Sequence, residues 1–341
     1  MNTSLSIALI WRLALAVQVI SAVPEAQVRL RPVYLSSQQQ DARLKLAAPA
    51  AIAVGPSGNM YIFDDGNSRI VKINPRGKFI AEFGQPGSGP GAIGRAGLND
   101  SIAVDENENV YVGDAATPRV LIFSADGTFQ RSFRVPFPMT SITVNRKHEI
   151  FLTPDTARPT DLIYVFSETG KFLRRFGERL ITSPGSLARN VNIAVAACDA
   201  NDNLFVAFRS WPIIRKYSPD GKLVSENQFT IPSELIRESQ RKNYSLEFFA
   251  KYPDSAFMPP LITHSIAVSR RGTGYLLLNA HSMVVFAPSG QIMKQFHFRA
   301  PRDRNNIFIR LAGSFKSSVA YLLDTRSGEI YEASNISSSN R

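Results

Sequence analysis

A seven-residue phrase that occurs five times places the strongest constraint on the fold of this chain. Each copy has an apolar residue, a small residue, a variable pair, a glycine, a polar residue and a second apolar residue. The copies are INPRGKF (73–79), FSADGTF (123–129), FSETGKF (166–172), YSPDGKL (217–223) and FAPSGQI (286–292). A small residue followed by Pro or Ala, with glycine in the fourth turn position, is typical of a type I turn. Apolar residues alternate on both sides, so each copy predicts a β-hairpin.

A second hairpin pattern lies upstream of each copy and consists of a short strand, a polar turn and a longer strand. Its occurrences are IAVGPSGNMYIFD (52–64), IAVDENENVYVGD (102–114), ITVNRKHEIFLTP (142–154), IAVAACDANDNLFVAF (193–208) and IAVSRRGTGYLLLN (266–279). Each unit is therefore four antiparallel strands, here named A to D, repeated every 40 to 50 residues or slightly more. Four strands at about this period are typical of a β-propeller blade, which buries its two faces by stacking against its neighbours.

The sequence predicts an all-β, six-bladed propeller. Five blades are explicit, and a weaker sixth at 308–333 supplies only strands A, B and C. The strand-like segment QVRLRPVYL (27–35) precedes the first blade, and we expect it to provide the missing strand D of the last blade. An N-terminal strand in that position closes the ring and removes a free sheet edge.

The first blade also resembles an NHL repeat. The resemblance rests on IAVGPSGNMYIFDDGNSRIVKINPRGKFIAEFGQPGSGPG (52–91), with its Gly-Asn turn, its Asp-x-x-Asn-x-Arg-Ile segment and its glycine-rich linker. Residues 102–133 are similar, whereas the third to fifth copies keep the strands and lose that segment. The resemblance covers most of 46–334 and implies a six-bladed propeller. It implies no chemistry, because one fold hosts many functions.

The two ends of the chain differ in composition from the repeats. The apolar run LALAVQVISAV (13–23) after Arg12 predicts a signal peptide over 1–26, and an uncleaved anchor is the alternative. We therefore expect a secreted or periplasmic protein with a propeller over 27–334 and a polar tail over 335–341. The single cysteine, Cys198, excludes an internal disulfide, and its apolar setting predicts an inert, buried thiol.

The long connections of the repeat all fall on one face of the predicted ring. The A–B and C–D turns are short, whereas the B–C turns and D–A linkers include 84–100, 177–190 and an insert at about 228–262. Functional loops are often the long ones on a rigid scaffold, so this D–A/B–C face is the predicted functional face. The insert has a predicted helix start at Pro232, and it either covers the channel as a lid or packs on the rim.

Eight residues on this face are predicted to reach the channel and bind a ligand. They lead into a strand A or leave a strand B, and they are Asn99, Asp100, Asn190, Asn192, Arg209, His264, Asn279 and His281. Asp100, Asn192 and His264 are the candidates for an axial metal ion, because carboxylates and amides bind Ca²⁺. The alternative for the acidic residues after strand B, Asp64, Asp114 and Asp324, is that they cap tight turns by accepting backbone N–H bonds.

Hairpin pairing in the fifth blade is expected to place His264 opposite Asn279, with His281 nearby. Two close imidazoles could bind a transition metal or transfer a proton, and the alternative is two surface histidines in adjacent loops. No cofactor is required by the sequence, so Ca²⁺ and Zn²⁺ stay as alternatives.

Three functions follow from these patterns. The first is a monomeric, non-catalytic binding or scaffold propeller that recognises a protein, peptide or glycan on the D–A/B–C face. The second is a metal-dependent lyase or lactonase with an axial metal site. The third is RNA binding, which the net charge of +11 permits. Against RNA stand the export segment and the absence of a tract that interleaves aromatic and basic residues, so a nucleic-acid partner is not expected.

Overall fold

A computed structural model of the chain forms a closed ring of six blades. The structure describes residues 26–27, 29–34, 41–94, 101–155, 160–180, 191–231, 261–269, 271–279, 282–297, 308–313 and 319–334. The predicted signal peptide up to residue 25, most of the insert and the polar tail lie outside these residues. The strands labelled A contact one another in cyclic order, and blade 6 contacts blade 1.

Each blade is an antiparallel sheet in which strands A, B, C and D follow one another from the axis outwards. Blade 1 contains Pro49–Val54, Met60–Asp64, Arg69–Ile73 and Phe79–Phe83. Blade 2 contains Ser101–Val104, Val110–Asp114, Arg119–Phe123 and Phe129–Arg134. Blade 3 contains Met139–Val144, Ile150–Pro154, Ile163–Phe166 and Phe172–Phe176. Blade 4 contains Ala194–Cys198, Leu204–Phe208, Ile213–Tyr217 and Leu223–Gln228.

The last two blades incorporate the N-terminal segment. Blade 5 contains Ser265–Val268, Gly274–Asn279, Ser282–Phe286 and Ile292–His297, and Ala26–Gln27 adds a parallel strand to its outer edge. Blade 6 contains Phe308–Gly313, Ala320–Asp324 and Ile330–Ser334, and its strand D is Arg29–Tyr34. Arg29 pairs with Ser334 and Tyr34 with Ile330 in antiparallel register. The predicted closure of the ring by 27–35 is confirmed.

The smaller elements belong to the connections between blades. Ala42–Leu44 and Asp65–Asn67 form 3-10 turns. In the linker between blades 1 and 2, Gln85–Pro86 pairs in parallel with Ala92–Ile93. Arg119 holds this ribbon from blade 2, because its guanidinium donates to the carbonyl oxygens of Ser88 at 2.8 Å and Ala92 at 2.6 Å.

The core is divided among the six interfaces between neighbouring blades. One hydrophobic cluster lies at each interface, including that between blades 6 and 1. Strand B of blade 1, for example, is buried along its whole length because it has a neighbouring blade on each face. Burial of such apolar surface contributes about 25 cal/mol per Å², so the stacking of blades supplies most of the stabilisation.

The glycine of the recurring phrase serves two purposes in the ring. It adopts a positive φ, such as +88° at Gly127 and +82° at Gly170, which other residues rarely adopt. It also packs against strand D of the preceding blade: a Cβ atom on Gly127 would lie 2.5 Å from the ring of Phe83, and one on Gly170 would lie 2.5 Å from the ring of Phe133. The phrase therefore recurs because each copy forms a hairpin turn and a contact between blades.

Side chains in the A–B turns also link neighbouring blades on the face opposite to the D–A/B–C face. Glu108, His148 and Asp202 have φ between +57° and +62° at the turn position that glycine occupies in blades 1 and 5. Each reaches back to the A–B turn of the preceding blade. Glu108 accepts from the backbone N–H of Ser57 at 2.8 Å, and Asp202 from that of Arg146 at 3.0 Å. His148 Nδ1 lies 3.1 Å from Asp105 Oδ2.

Candidate functional site: the mouth of the central channel

The six A strands line a central channel with about 1010 Å³ of space unoccupied by atoms, including its open ends. Strand A begins, and strand B ends, at the same end of each antiparallel blade. Residues at the start of strand A and directly after strand B therefore face the D–A/B–C side. We call this end of the channel the channel mouth.

The two ends of the channel differ in polarity. The far end is formed by the last residues of the A strands, which are Val54, Val104, Val144, Cys198, Val268 and Gly313. The mouth instead carries two guanidinium groups, an imidazole and several hydroxyl groups, from Arg209, Arg310, His264, Ser101, Thr140, Ser141 and Ser265. Within the described ranges, no Asp or Glu side chain lines the channel.

Several of the hydroxyl groups connect neighbouring blades. Ser141 Oγ accepts from the backbone N–H of Ala196 at 3.2 Å, and Ser265 Oγ accepts from that of Leu311 at 3.2 Å. Thr140 Oγ1 donates to the carbonyl oxygen of Ala194 at 2.8 Å. These bonds fix the spacing of the A strands and make the mouth rigid.

Backbone hydrogen bonds hold Arg209 at the mouth. Its N–H donates to the carbonyl oxygen of Ile193 at 2.9 Å, and its carbonyl oxygen accepts from the N–H groups of Ile262 at 2.6 Å and Thr263 at 2.9 Å. Arg209 thus joins blade 4 to the segment that enters blade 5. Burial lowers the pKa of its guanidinium, and the nearby carboxylate of Asp155 offsets this only in part. Among the residues that the structure describes, its buried Nε has no hydrogen-bond partner.

His264 lies beside Arg209 at the start of blade 5. Its backbone N–H donates to the carbonyl oxygen of Leu277 at 2.8 Å. Burial is the main cause that lowers the pKa of the imidazole from 6.5 to about 4, and the charges of Arg209 and Arg310 lower it further. The imidazole is therefore neutral at neutral pH.

The register of blade 5 differs by one residue from the expectation for His264. Ser265 on strand A pairs with Leu277 on strand B. One residue earlier on strand A, His264 therefore lies opposite Leu278 rather than Asn279. A bulge between Leu277 and Asn279 accompanies the B–C turn, where Asn279 pairs with Ser282. Nothing is described of the Asn279 side chain.

Five further residues were predicted to bind a ligand at the mouth, and the structure describes one of them, Asn192. Asn192 is buried, and its Oδ1 accepts from the N–H of Leu180 at 2.7 Å, so it fixes the linker between blades 3 and 4. It does not belong to the channel lining. Asn99, Asp100, Asn190 and His281 lie outside the described residues. The structure thus brings together Arg209 and His264 from the predicted set.

Arg310 joins these two residues and was not among the predicted ligands. Its register position in strand A is the one that Ser265 occupies in blade 5, three residues before the last pair of strands A and B. Alignment of FIRLAG (308–313) with the other A strands could have placed it at the mouth. The sixth blade lacks the recurring phrase, so its strand register is harder to predict from the sequence.

The acidic residues after strand B accept hydrogen bonds from backbone N–H groups, and two of the three cap turns. Asp64 accepts from the N–H of Ala47 at 2.6 Å and from Asn67 Nδ2 at 2.7 Å. Asp114 accepts from the N–H groups of Gly94 and Thr117, both at 3.1 Å. Desolvation raises the pKa of Asp114, but the hydrogen bonds it accepts outweigh this effect, so the pKa is lowered. Asp324 accepts from the N–H groups of Arg326 at 2.8 Å and Ser327 at 3.2 Å. The capping alternative is confirmed for Asp114 and Asp324, which accept from N–H groups of the turns that follow them. Asp64 makes no such cap bond and instead fixes the segment that enters blade 1.

The described part of the chain brings together no group of three His, Cys, Asp or Glu residues that could hold a metal ion. His264 has two guanidinium groups as neighbours, which disfavour a cation at that position. Asp100, a predicted metal ligand, is outside the described residues.

Comparisons with known proteins identify the fold. No protein-family model matches the chain. No curated protein matches it. Similar solved structures include a streptogramin B lyase, with 15% identity over 90% of this chain and 87% of that chain and a TM-score of 0.53. A hydrazine synthase of Kuenenia stuttgartiensis has 10% identity over 88% and 99% of the two chains and a TM-score of 0.54. A Bacteroides fragilis protein described as exported has 16% identity over 92% and 77% and a TM-score of 0.51.

These relationships establish a six-bladed propeller and no more, because identities this low accompany many different functions on one fold. In the described residues, no helix combines the length and the apolar character needed to cross a membrane.

Proposed function

We propose that this protein is an exported, non-catalytic binding propeller that recognises a protein, peptide or glycan through its D–A/B–C face. The observation that carries the proposal is the polarity of the channel: the charged and imidazole side chains of the described lining gather at the mouth, and the far end is mainly apolar apart from Thr143 and Cys198. Recognition sites concentrate a few fixed polar groups in a concave surface, and the mouth has this composition.

Rigidity of the mouth supports the same proposal. Arg209 is anchored by three backbone hydrogen bonds to blade 4 and to the segment entering blade 5, and serine hydroxyls join the A strands of neighbouring blades. A site with this framework does not need to order itself when a ligand binds, which reduces the entropic cost of binding.

The test uses the full chain on arrays of defined peptides and glycans. Arg209→Gln alters the mouth, and Arg76→Gln, an exposed residue of the C–D turn in blade 1, removes the same charge from the opposite face. We expect array binding to weaken in Arg209→Gln and to persist in Arg76→Gln. Binding that is lost only in Arg76→Gln would assign recognition to the other face and contradict the proposal.

Metal analysis separates this function from the metal-dependent lyase or lactonase. The purified full chain is measured for bound calcium and zinc, and any array ligand is analysed for cleavage after incubation. We expect intact ligand and no stoichiometric metal. Stoichiometric metal together with a cleaved ligand would replace the binding function by the enzymatic one.

A further inference from the structure

We propose that the outer edge of blade 2 binds an extended acidic peptide, which adds to strand D and places a carboxylate on Arg134. The site lies where strand D ends, on the outside of the ring, and it shares no lining residue with the channel. The inference therefore goes beyond the proposed function and does not rest on it.

A groove lies beside this edge of blade 2. It has about 700 Å³ of space unoccupied by atoms, including its open side, and it is lined by the ribbon between blades 1 and 2, the B–C turn of blade 2 and the end of its strand D. Arg119 on strand C and Arg134 on strand D are direct cross-strand partners, and both line the groove. Like charges in directly paired positions repel each other, so an anion at this place stabilises the pair.

The two arginines differ in their partners. Arg119 is buried, its Nε donates to Asp114 Oδ2 at 2.9 Å, and its Nη1 and Nη2 groups donate to four carbonyl oxygens of the ribbon. The exposed guanidinium of Arg134 makes neither a hydrogen bond nor an ion pair with any residue that the structure describes. The same holds for the hydroxyl group of Ser132, two residues earlier on the same side of the strand.

Other blades carry a carboxylate at the position of Ser132. Counted from the end of strand C, this position of strand D is Glu82 in blade 1 and Glu226 in blade 4. Glu82 binds the guanidinium of Arg69, and Glu226 accepts from Arg215 Nε at 2.6 Å, so each glutamate neutralises an arginine of strand C in its own blade. Blade 2 has a serine instead, which leaves room for a carboxylate from another molecule.

Blade 5 shows that an extended segment fits at this edge. There Ala26–Gln27 adds a parallel strand and pairs with Phe296 and His297 at the end of strand D. The corresponding residues of blade 2 are Phe133 and Arg134, and within the described ranges no further strand pairs with them on the outer side. An open edge presents unpaired backbone groups, with which a peptide can pair as an additional strand.

The charge of the groove favours a carboxylate over a phosphate. Asp114 balances Arg119, so two arginines and one aspartate leave a net charge of +1. A carboxylate balances this charge, whereas a phosphorylated side chain carries up to two negative charges. The planar guanidinium of Arg134 also matches the two oxygens of a carboxylate.

The test measures the binding of labelled peptides to the full chain by fluorescence anisotropy. The probe is a seven-residue peptide of alternating threonine and valine with a central glutamate, and two matched peptides carry glutamine or phosphoserine at the centre. We expect the glutamate peptide to bind at least about tenfold more tightly than either matched peptide, because it alone balances the charge of Arg134. Equal or tighter binding of a matched peptide, or no binding of the glutamate peptide, overturns the assignment.

Variants locate the binding at the groove. We expect Arg134→Gln to weaken binding of the glutamate peptide by at least about tenfold. Arg131→Gln removes the same charge from the same strand, but on the side that faces Glu168 of blade 3, and it should leave the affinity unchanged. Ser132→Glu supplies the carboxylate that blades 1 and 4 carry and should prevent binding. Equal affinities in the wild type, Arg134→Gln and Ser132→Glu overturn the inference.

The backbone pairing is tested with two further glutamate peptides. Each carries N-methyl groups on alternate backbone amides, and the two differ in which set of amides is methylated. Because strand addition uses the amides on one side of the peptide, we expect one of the two to bind at least about tenfold more weakly than the unmethylated peptide. Unchanged binding of both methylated peptides overturns strand addition and with it the proposal.

The outcomes for this site and for the channel mouth are distinguishable. Arg209→Gln is expected to leave the affinity for the glutamate peptide unchanged. If Arg209→Gln prevents peptide binding and Arg134→Gln does not, the peptide binds at the mouth, and the inference is wrong whereas the proposed function stands. If the peptide binds through Arg134 but array ligands bind the face opposite to the mouth, the proposed function is wrong and the site on blade 2 stands.

Discussion

His264→Gln should remove a specific component of the acid sensitivity of this protein. In the folded chain, burial and two neighbouring arginines lower the pKa of the imidazole from 6.5 to about 4. The unfolded chain exposes the imidazole, so its pKa there is close to 6.5. Between these two values the unfolded state binds a proton that the folded state does not bind. The free energy of unfolding therefore falls as the pH falls from 6.5 towards 4.

The magnitude follows from the difference between the two pKa values. One pKa unit corresponds to about 1.36 kcal/mol, so a decrease from 6.5 to about 4 corresponds to at most about 3 kcal/mol at pH 4. Carboxylates that stabilise the fold also lose their effect in this pH range. Their contribution is common to wild type and variant, and it cancels when the two proteins are compared.

Urea unfolding at pH 7, 6, 5 and 4 measures the effect, with His264→Asn as a second neutral variant. We expect the free energy of unfolding of the wild type to fall relative to both variants by up to about 3 kcal/mol between pH 7 and pH 4. If the wild type and the variants lose stability in parallel across this range, the imidazole is not buried in its neutral form and the reasoning is refuted.

Three further predictions concern the ring itself. Glu108→Ala should lower the free energy of unfolding by about 1–3 kcal/mol, because it leaves the hydroxyl of the buried Tyr61 without this acceptor, and Glu108→Gln should lower it less; urea unfolding measures both. Deletion of residues 26–34 should produce a chain that melts non-cooperatively in calorimetry, because blade 6 loses its strand D and the ring stays open; a sharp transition at the wild-type temperature would contradict this. Cys198 is half-buried at the far end of the channel, not fully buried as predicted. It should still react slowly with a disulfide reagent at pH 8 and rapidly in urea, because desolvation raises the pKa of its thiol; equal rates in both conditions would show an accessible thiolate.

The fold was predictable because its signal is local and repeated. Each copy of the recurring phrase specifies a turn through its glycine and two strands through alternation, so five blades could be recognised without any long-range information. The N-terminal strand was predictable by a different route: the sixth blade lacked one strand, and 27–35 had the pattern of a strand without a partner.

The site was only partly predictable because it depends on how blades meet. Arg209 and His264 follow from their positions after strand B and before strand A. The shift of His264 towards Leu278 arises beside a bulge between Leu277 and Asn279, and a bulge leaves little trace in the sequence. Prediction of Arg310 requires the strand register of blade 6, whose sequence departs from the repeat. The hydrogen bond from the Ser57 N–H to the Glu108 carboxylate depends on contact between two turns 51 residues apart, which turn propensity cannot predict.

The pairing of the first described strands with the last blade sets the order in which the molecule can be completed. Arg31 Nη2 donates to Glu332 Oε2 at 2.6 Å across a separation of 301 positions, so Arg29–Tyr34 is without its pairing strand until about 300 further residues have been synthesised. Strand Ile330–Ser334 adds Ile330 to the cluster between blades 6 and 1 and is the strand with which Arg29–Tyr34 pairs, so the ring is complete only when it is in place. Formation of this ring is therefore expected to be slow, because the contact that completes it joins residues far apart in the sequence.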